Sequence, residues 1–277
     1  VNSRTAILNL CFTTTVRSSR PAVRGSTIAR QLLLAALILL PVAATGEDYV
    51  TVAVASNFAA TARDIAGQFS QESGFEVRIT TASTGKLYAQ IVNGAPFDIL
   101  LAADAERPQR LETSGAGVLG TRFTYALGGL VLWSRQVDDC RAALRRDDGG
   151  RIAIANPETA PYGAAAKSFL ERSGLWESLS GRLVVGENIA QTLQFAASGN
   201  ADSGFIARSQ LLAPSLPQAT CSWPVPATMH SEIDQQAILL QRGADSKGAK
   251  SFLTFLRGDA GHAIILRHGY RLPEVKE

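Results

Sequence analysis

Histidine, cysteine and methionine are scarce in this chain of 277 residues, which holds three His, three Cys and one Met. The histidines, His230, His262 and His268, all fall late in the sequence. No H-E-x-x-H helix, C-x-x-C pair or G-x-S-x-G elbow occurs, which removes the common zinc, thiol-redox and serine-hydrolase signatures. Gly85-Lys86 is a near-match to a phosphate loop. It fails because Leu87 stands where Ser or Thr is needed and no Gly lies five residues before Gly85. Asp98 and Asp104 flank a strand end and have the chemistry for acid–base work. The simpler reading makes Asp104 the cap of the next helix. No nucleophile stands beside a base, and catalysis is not expected.

Acidic residues and lysine are missing from the first 46 positions, which carry Arg4, Arg17, Arg20, Arg24 and Arg30. Leu32 to Leu40 is a continuous apolar run, followed by Pro41-Val-Ala-Ala-Thr-Gly46. A basic stretch, a short apolar core and small residues describe a secretory signal peptide over 1–46, cut after Ala44 or Gly46. The run is shorter than the ~20 residues that span a bilayer, so a leader is expected rather than an anchor. No Cys sits at the junction to carry a lipid.

Removing the leader changes the charge. The chain has 27 Lys+Arg against 24 Asp+Glu, so without the five leader arginines the balance is 22 against 24, or −2. A basic nucleic-acid surface is therefore not expected. Cys11 falls in the leader, and Cys140 and Cys221 remain. In an exported chain the pair permits one disulfide or two separate thiols; sequence alone gives no distance between them.

What is abundant is alternation. From Tyr49 onward, strand-like runs (Val50–Ala55, Glu76–Thr80, Asp98–Ala102, Arg151–Ala155, Arg182–Gly186, Ala201–Ala207) alternate with helical patterns (Phe58–Ser70, Lys86–Val92, Ala105–Ser114, Ala164–Ser173, Ile189–Ala197). That is the signature of an α/β fold with parallel strands and crossover helices. Val137–Gly150 reads as a solvated surface segment and the Pro-rich Ala213–Ala227 as a loop. Asp234–Gln241 returns as a strand, and Ser246–Arg257 and Asp259–His268 as helices. The apolar run Phe123 to Trp133 is broken by Gly128-Gly129, as if one strand left one sheet for another. Two lobes follow, with crossings near Leu127–Leu130 and Met229–Ile233. The expected division is 47–128 plus 230–277 for the first lobe and 129–229 for the second.

Four strand-to-helix junctions carry small polar residues or Gly: Ser56-Asn57, Ser83-Thr84-Gly85, Tyr162-Gly163 and Asn188-Ile189. In open α/β sheets ligands bind beyond the carboxyl ends of the strands. Helix N-termini there offer unpaired N–H donors and a favourable dipole. Lys86 is the one basic residue directly in these junctions, its side chain free to reach solvent. Neutral donors suit a compact, fully ionised oxyanion, whereas an organic carboxylate usually calls for an Arg clamp. Each junction alone reads as a capped helix; the four together point to an anion held between lobes.

At these residues the chain resembles the periplasmic molybdate-binding proteins of ABC transporters, from about Tyr49 to Pro273. The resemblance is carried by Val54-Ala-Ser-Asn-Phe58, Ala82-Ser-Thr-Gly-Lys86, Tyr88-Ala-Gln-Ile-Val-Asn-Gly-Ala-Pro-Phe-Asp98 with Ala102-Ala-Asp104, Phe123-Thr-Tyr-Ala-Leu-Gly128, and Ile154-Ala-Asn-Pro157 leading to Ala160-Pro-Tyr-Gly163. It implies the type II periplasmic-binding-protein architecture, two Rossmann-like lobes joined by two crossing strands. It also implies a monomer in the periplasm, without catalysis or resident cofactor, that captures molybdate and tungstate and presents them to a membrane permease. The same fold with sulfate, thiosulfate or phosphate is the alternative. Carried over by motif, the contacts are Ser56, Asn57 and Thr84 from one lobe and Tyr162 and the Ile189 N–H from the other, with Ser83 as a further candidate. The molybdenum would be held as its oxyanion, with no direct metal ligand. Ala207 stands where some members place a further tyrosine hydroxyl.

Overall fold

Two five-stranded sheets with the same pattern of strand directions carry the chain from Tyr49 onward. The structure, a computed structural model, describes Thr15 and residues 49–146 and 149–274. The expected leader, its cleavage point and Cys11 lie outside the described residues. Among the described residues no helix is long and apolar enough to cross a membrane.

The first sheet has the order β2-β1-β3-β10-β4. Its strands are β1 (Tyr49–Ala55), β2 (Glu76–Ala82), β3 (Ile99–Leu101), β4 (Phe123–Leu127) and β10 (Asp234–Leu239). β1 lies parallel to both β2 and β3, with Val52 opposite Ile79 and Ile99. β10 runs antiparallel between β3 and β4. The helices are α1 (Ala59–Ser73), α2 (Thr84–Val92) and α3 (Glu106–Ser114). Val50, Val52 and Val54 meet Phe58, Ile65 and Phe69 on one face of β1, and Ala53 meets Leu87 and Leu111 on the other. A strand covered on both faces needs no polar alternation, which is why β1 reads as an unbroken apolar run.

The second sheet has the order β7-β6-β8-β5-β9, in which β5, the first of its strands in the chain, takes the antiparallel place that β10 holds in the first sheet. Its strands are β5 (Leu130–Ser134), β6 (Ile152–Ala155), β7 (Leu183–Gly186), β8 (Ser203–Ala207) and β9 (Cys221–Pro224). Its helices are α4 (Cys140–Ala143), α5 (Pro161–Arg172), α6 (Trp176–Leu179) and α7 (Ile189–Ser198). β6 is parallel to β7 and β8, and β5 is antiparallel to β8 and β9. The final helices α8 (Lys247–Arg257) and α9 (Asp259–Arg267) return to the first sheet, where Phe252, Leu256, Ile264 and Ile265 share a core with β1. Gly128-Gly129 separates β4 from β5, so the long apolar run does change sheets at that pair.

Several local readings need correction. Neither Ser56 nor Asn57 caps a helix through its side chain; Ser56–Phe58 is a 3-10 turn leading into α1. α5 begins at Pro161 rather than at Ala164, because proline fits the first helical position, where no N–H is needed. The loop expected over Ala213–Ala227 contains β9, an edge strand, where proline is tolerated. The segment taken as solvated, Val137–Gly150, buries Val137, Cys140, Ala143 and Leu144.

That burial has a covalent companion. Cys140, at the start of α4, is disulfide-bonded to Cys221 of β9, with Cα atoms 5.7 Å apart. The bridge closes a loop over a sequence separation of 81. Chain-entropy arguments make such a closure worth about 4 kcal/mol. The double variant Cys140→Ser, Cys221→Ser is therefore expected to lose about that much stability, a fall in Tm of roughly 10 °C. Scanning calorimetry of the oxidised protein and the variant checks it; equal Tm values would show that the bridge constrains nothing.

Candidate anion-binding site

Three parallel strands and one loop deliver their following helices to a single small cleft. β1 leads to the turn Ser56–Phe58, β2 to α2 and β7 to α7, while β6 reaches α5 through residues 156–160. The cleft, about 10 Å³ in volume, is lined by Ala55, Ser56, Asn57, Ser83, Thr84, Ala103, Ala160, Pro161, Tyr162 and Ile189. All six residues singled out in the sequence therefore meet in one place, and no charged side chain lines it. Clefts for drug-sized ligands run to about 300–1,000 Å³, so this one, drawn nearly closed, has no room for such a guest.

The polar atoms divide into those that have protein partners and those that do not. Thr84 is buried, and its hydroxyl oxygen accepts the Ala103 N–H at 3.0 Å, which leaves its own proton to donate elsewhere. The Ser83 and Tyr162 hydroxyls are buried and have no hydrogen-bond partner. Ser83 sits at the N-cap position of α2 without making the usual side-chain cap. The Asn57 side chain and the Gly129 backbone approach the Tyr162 hydroxyl without reaching hydrogen-bond geometry. Burying a hydroxyl unpaired costs about 1–3 kcal/mol on mutational scales. Two such groups in one cleft are a strong sign that it is shaped for something other than its own contacts.

At α7 the Asn188 carboxamide oxygen accepts from Ala190 and Gln191 at 2.9 and 3.2 Å. The Ile189 N–H ahead of them is the first of the helix and has no intrahelical acceptor. Gln210 steadies this turn: its amide donates to the Ile189 carbonyl at 3.1 Å, and its Oε1 accepts from Ala207 N–H at 2.9 Å.

Sequence reading missed the support beneath Asn57. Asn57 Nδ2 donates to Gln235 Oε1 at 2.7 Å and to the Tyr270 hydroxyl at 3.1 Å, and that hydroxyl donates to the Asn57 carbonyl at 2.8 Å. Tyr125 adds a bond to Gln235 Oε1 at 3.3 Å and one to the Ala102 carbonyl at 3.0 Å. Both Asn57 amide protons are thus taken by Gln235 and Tyr270. The available signal was Gln235-Gln236, two amides running straight into the apolar buried stretch 237–239. Burial, above all, pushes the Tyr162 and Tyr125 hydroxyls well above the ordinary phenol range and Tyr270 up to about 12. All three remain neutral donors at any physiological pH.

The charged candidates are occupied elsewhere. Lys86, read as free to reach solvent, pairs with Glu187 at 2.9 Å, and neither lines the cleft. Asp98 accepts from the Thr51 N–H at 2.7 Å and pairs with Arg242 at 2.5 Å. Asp104 accepts from the Arg107 N–H at 3.0 Å and pairs with its guanidinium; the N-cap position of α3 falls on Ala105, so Asp104 stands one residue ahead of the place read for it.

These assignments predict opposite signs for neighbouring substitutions. Ser83→Ala and Tyr162→Phe remove no protein hydrogen bond, so the unliganded protein should keep its stability or gain up to about 1 kcal/mol. Thr84→Val orphans the buried Ala103 N–H and should cost about 1–3 kcal/mol. Urea unfolding of the three variants without ligand tests this; a loss of 2 kcal/mol in Tyr162→Phe would mean that its hydroxyl is already satisfied.

Comparison with known proteins agrees along nearly the whole described chain. The family of bacterial extracellular solute-binding proteins matches residues 50–271. The molybdate-binding protein ModA of Azotobacter vinelandii is 44% identical over 237 residues, covering 84% of this chain and 94% of that protein. ModA of Rhodobacter capsulatus is 42% identical over 245 residues, covering 87% and 94%. The solved periplasmic molybdate-binding protein of Azotobacter vinelandii superposes with a TM-score of 0.77 at 38% identity, covering 81% of this chain and 100% of that one. The α/β architecture of two sheets is therefore that of a periplasmic binding protein. With a family match from β1 to the residues beyond α9, and relatives above 40% identity over most of both chains, this protein belongs to the bacterial extracellular solute-binding protein family.

Proposed function

We propose that the protein captures molybdate, and tungstate with it, in this cleft outside the cytoplasm and hands it to the permease of an ABC transporter. The observation that carries the reading is the pair of buried, unpartnered hydroxyls of Ser83 and Tyr162 in a cleft without charged side chains. A tetrahedral dianion accepts from every direction and offers no proton. Helix N-termini favour such a charge through N–H donors and dipoles, without an ionic partner to desolvate. Protonated phosphate would need an acceptor that this lining provides poorly. The ModA relatives named for molybdate support the choice of ion.

In this reading Ser56, Asn57, Ser83 and Thr84 grip from the half built on 47–128 and 230–277, and Tyr162 and Ile189 from the half built on 129–229. Asn57 and Ile189 act through backbone N–H groups; Ser83, Thr84 and Tyr162 act through hydroxyls. The halves behave as lobes that close on the ion about the connections beside Gly128-Gly129 and before β10. Closure can be driven only by the difference in affinity between the closed and open forms. The protein works as a periplasmic monomer, performs no chemistry and needs no resident cofactor.

Isothermal titration calorimetry of the mature protein should show molybdate and tungstate binding far more tightly than sulfate or phosphate. Ser83→Ala, Thr84→Ala and Tyr162→Phe should each weaken molybdate by tenfold or more, about 1.4 kcal/mol. Equal affinity for sulfate, or no heat with molybdate, would refute the reading.

A further inference from the structure

We propose that Gly85 is the positioning residue of a clasp that holds the cleft shut, and that its missing side chain sets how closely the two halves approach. The inference rests on the reading of the cleft as an anion site that closes. Gly85 follows Thr84 directly, and its N–H donates to the Thr159 carbonyl of the other half at 2.8 Å. A Cβ placed on Gly85 would lie 2.9 Å from Thr159 Cα, 3.0 Å from the Thr159 carbonyl oxygen and 3.2 Å from Arg107 Nη2. Two of these three neighbours are backbone atoms. Gly85 lies inside α2 without the positive φ that would demand glycine, and an alanine there would favour the helix. The requirement for glycine therefore comes from the opposite half and not from α2.

The facing segment is stiff. Glu158 N–H donates to the Asn156 side chain at 2.9 Å, and Ala160 N–H donates to the Asn156 carbonyl at 2.9 Å. Thr159 is thus pinned from both sides and lies three residues before Tyr162. Two further ties cross beside it. Arg107, fixed by Asp104, donates through Nη2 to the Glu158 carbonyl at 2.9 Å, and Lys86 meets Glu187 at 2.9 Å. The Lys86–Glu187 pair is about half exposed and therefore screened by salt. The Gly85–Thr159 bond joins backbone to backbone, next to Thr84 on one wall and close to Tyr162 on the other. Holding these walls together should slow escape of the ion more than it affects entry, since the clasp forms only on closing.

The test compares mature wild type with Gly85→Ala, using molybdate as the probe, by calorimetry, stopped-flow dissociation and small-angle scattering. Gly85→Ala should bind at least tenfold more weakly, with most of the change in the dissociation rate. Its Tm without molybdate should be unchanged or higher, and its radius of gyration at saturating molybdate larger than that of wild type. Arg107→Gln, which removes the neighbouring tie to the Glu158 carbonyl and leaves the Gly85 backbone unchanged, should also release molybdate faster. Unchanged dissociation in both variants overturns the clasp. A wild type that binds no molybdate overturns the ligand reading instead. The clasp is then judged by scattering alone, and radii identical to wild type in the free protein and with each of molybdate, tungstate and sulfate overturn it.

Discussion

The direction of β1 and β6 governs the rest of the molecule. Each is the inner strand of a parallel trio, β2-β1-β3 in one sheet and β7-β6-β8 in the other. Parallel neighbours end on the same side and must be followed by a helix that begins there. Two such trios facing each other bring helix N-termini from both into one cleft. The residues at those starts then accept costs that helices elsewhere avoid. Ser83 stands at a cap position without capping, Gly85 occupies a helical position that alanine would favour, and Tyr162 buries a hydroxyl without a partner. These departures from local preference gather at one cleft instead of being scattered over the fold.

A second constraint works through chain order. The turn that presents Ser56 and Asn57 is held by Gln235 from β10 and Tyr270 beyond α9, more than 170 residues away. The first strand-to-helix junction is thus incomplete until the chain has left the first sheet, built the second and come back. Tyr125 on β4, the last strand before the departure, reaches the same Gln235 oxygen. Outgoing and returning strands therefore meet under the Ser56–Phe58 turn, and the polar network there stays buried because nearly all of its members find a partner.

Much of this was legible in the sequence, because the signals were local. Apolar runs located β1 and β7, the alternation of Val77 and Ile79 with polar residues located β2, and Gly128-Gly129 marked the change of sheet. The four junctions met as the pattern implied. What stayed hidden depended on distance or on residues with two readings. Pro161 looked like the end of a loop but starts α5, and the prolines around β9 concealed an edge strand. Asn57 looked like a cap, since nothing near it in sequence reveals that Gln235 and Tyr270 claim its amide. Cys140 and Cys221 left a disulfide and two thiols equally open until the fold set their Cα atoms 5.7 Å apart.

The glycine pair shows how closely the cleft and the connection between sheets are joined. A Cβ on Gly128 would lie 2.5 Å from the Tyr162 hydroxyl and 2.6 Å from Ile233 Cγ2. Gly128 N–H also donates to the Ile233 carbonyl at 2.9 Å, so the outgoing connection lies against the returning one. Bare backbone at this position is thus required twice, by the approach of Ile233 and by the hydroxyl of Tyr162. Because the Tyr162 hydroxyl abuts Gly128, the wall of the cleft and the link between sheets cannot shift independently. A glycine that reads as a simple break in an apolar run is the point where the position of a cleft hydroxyl and the path of the chain are set by the same contact.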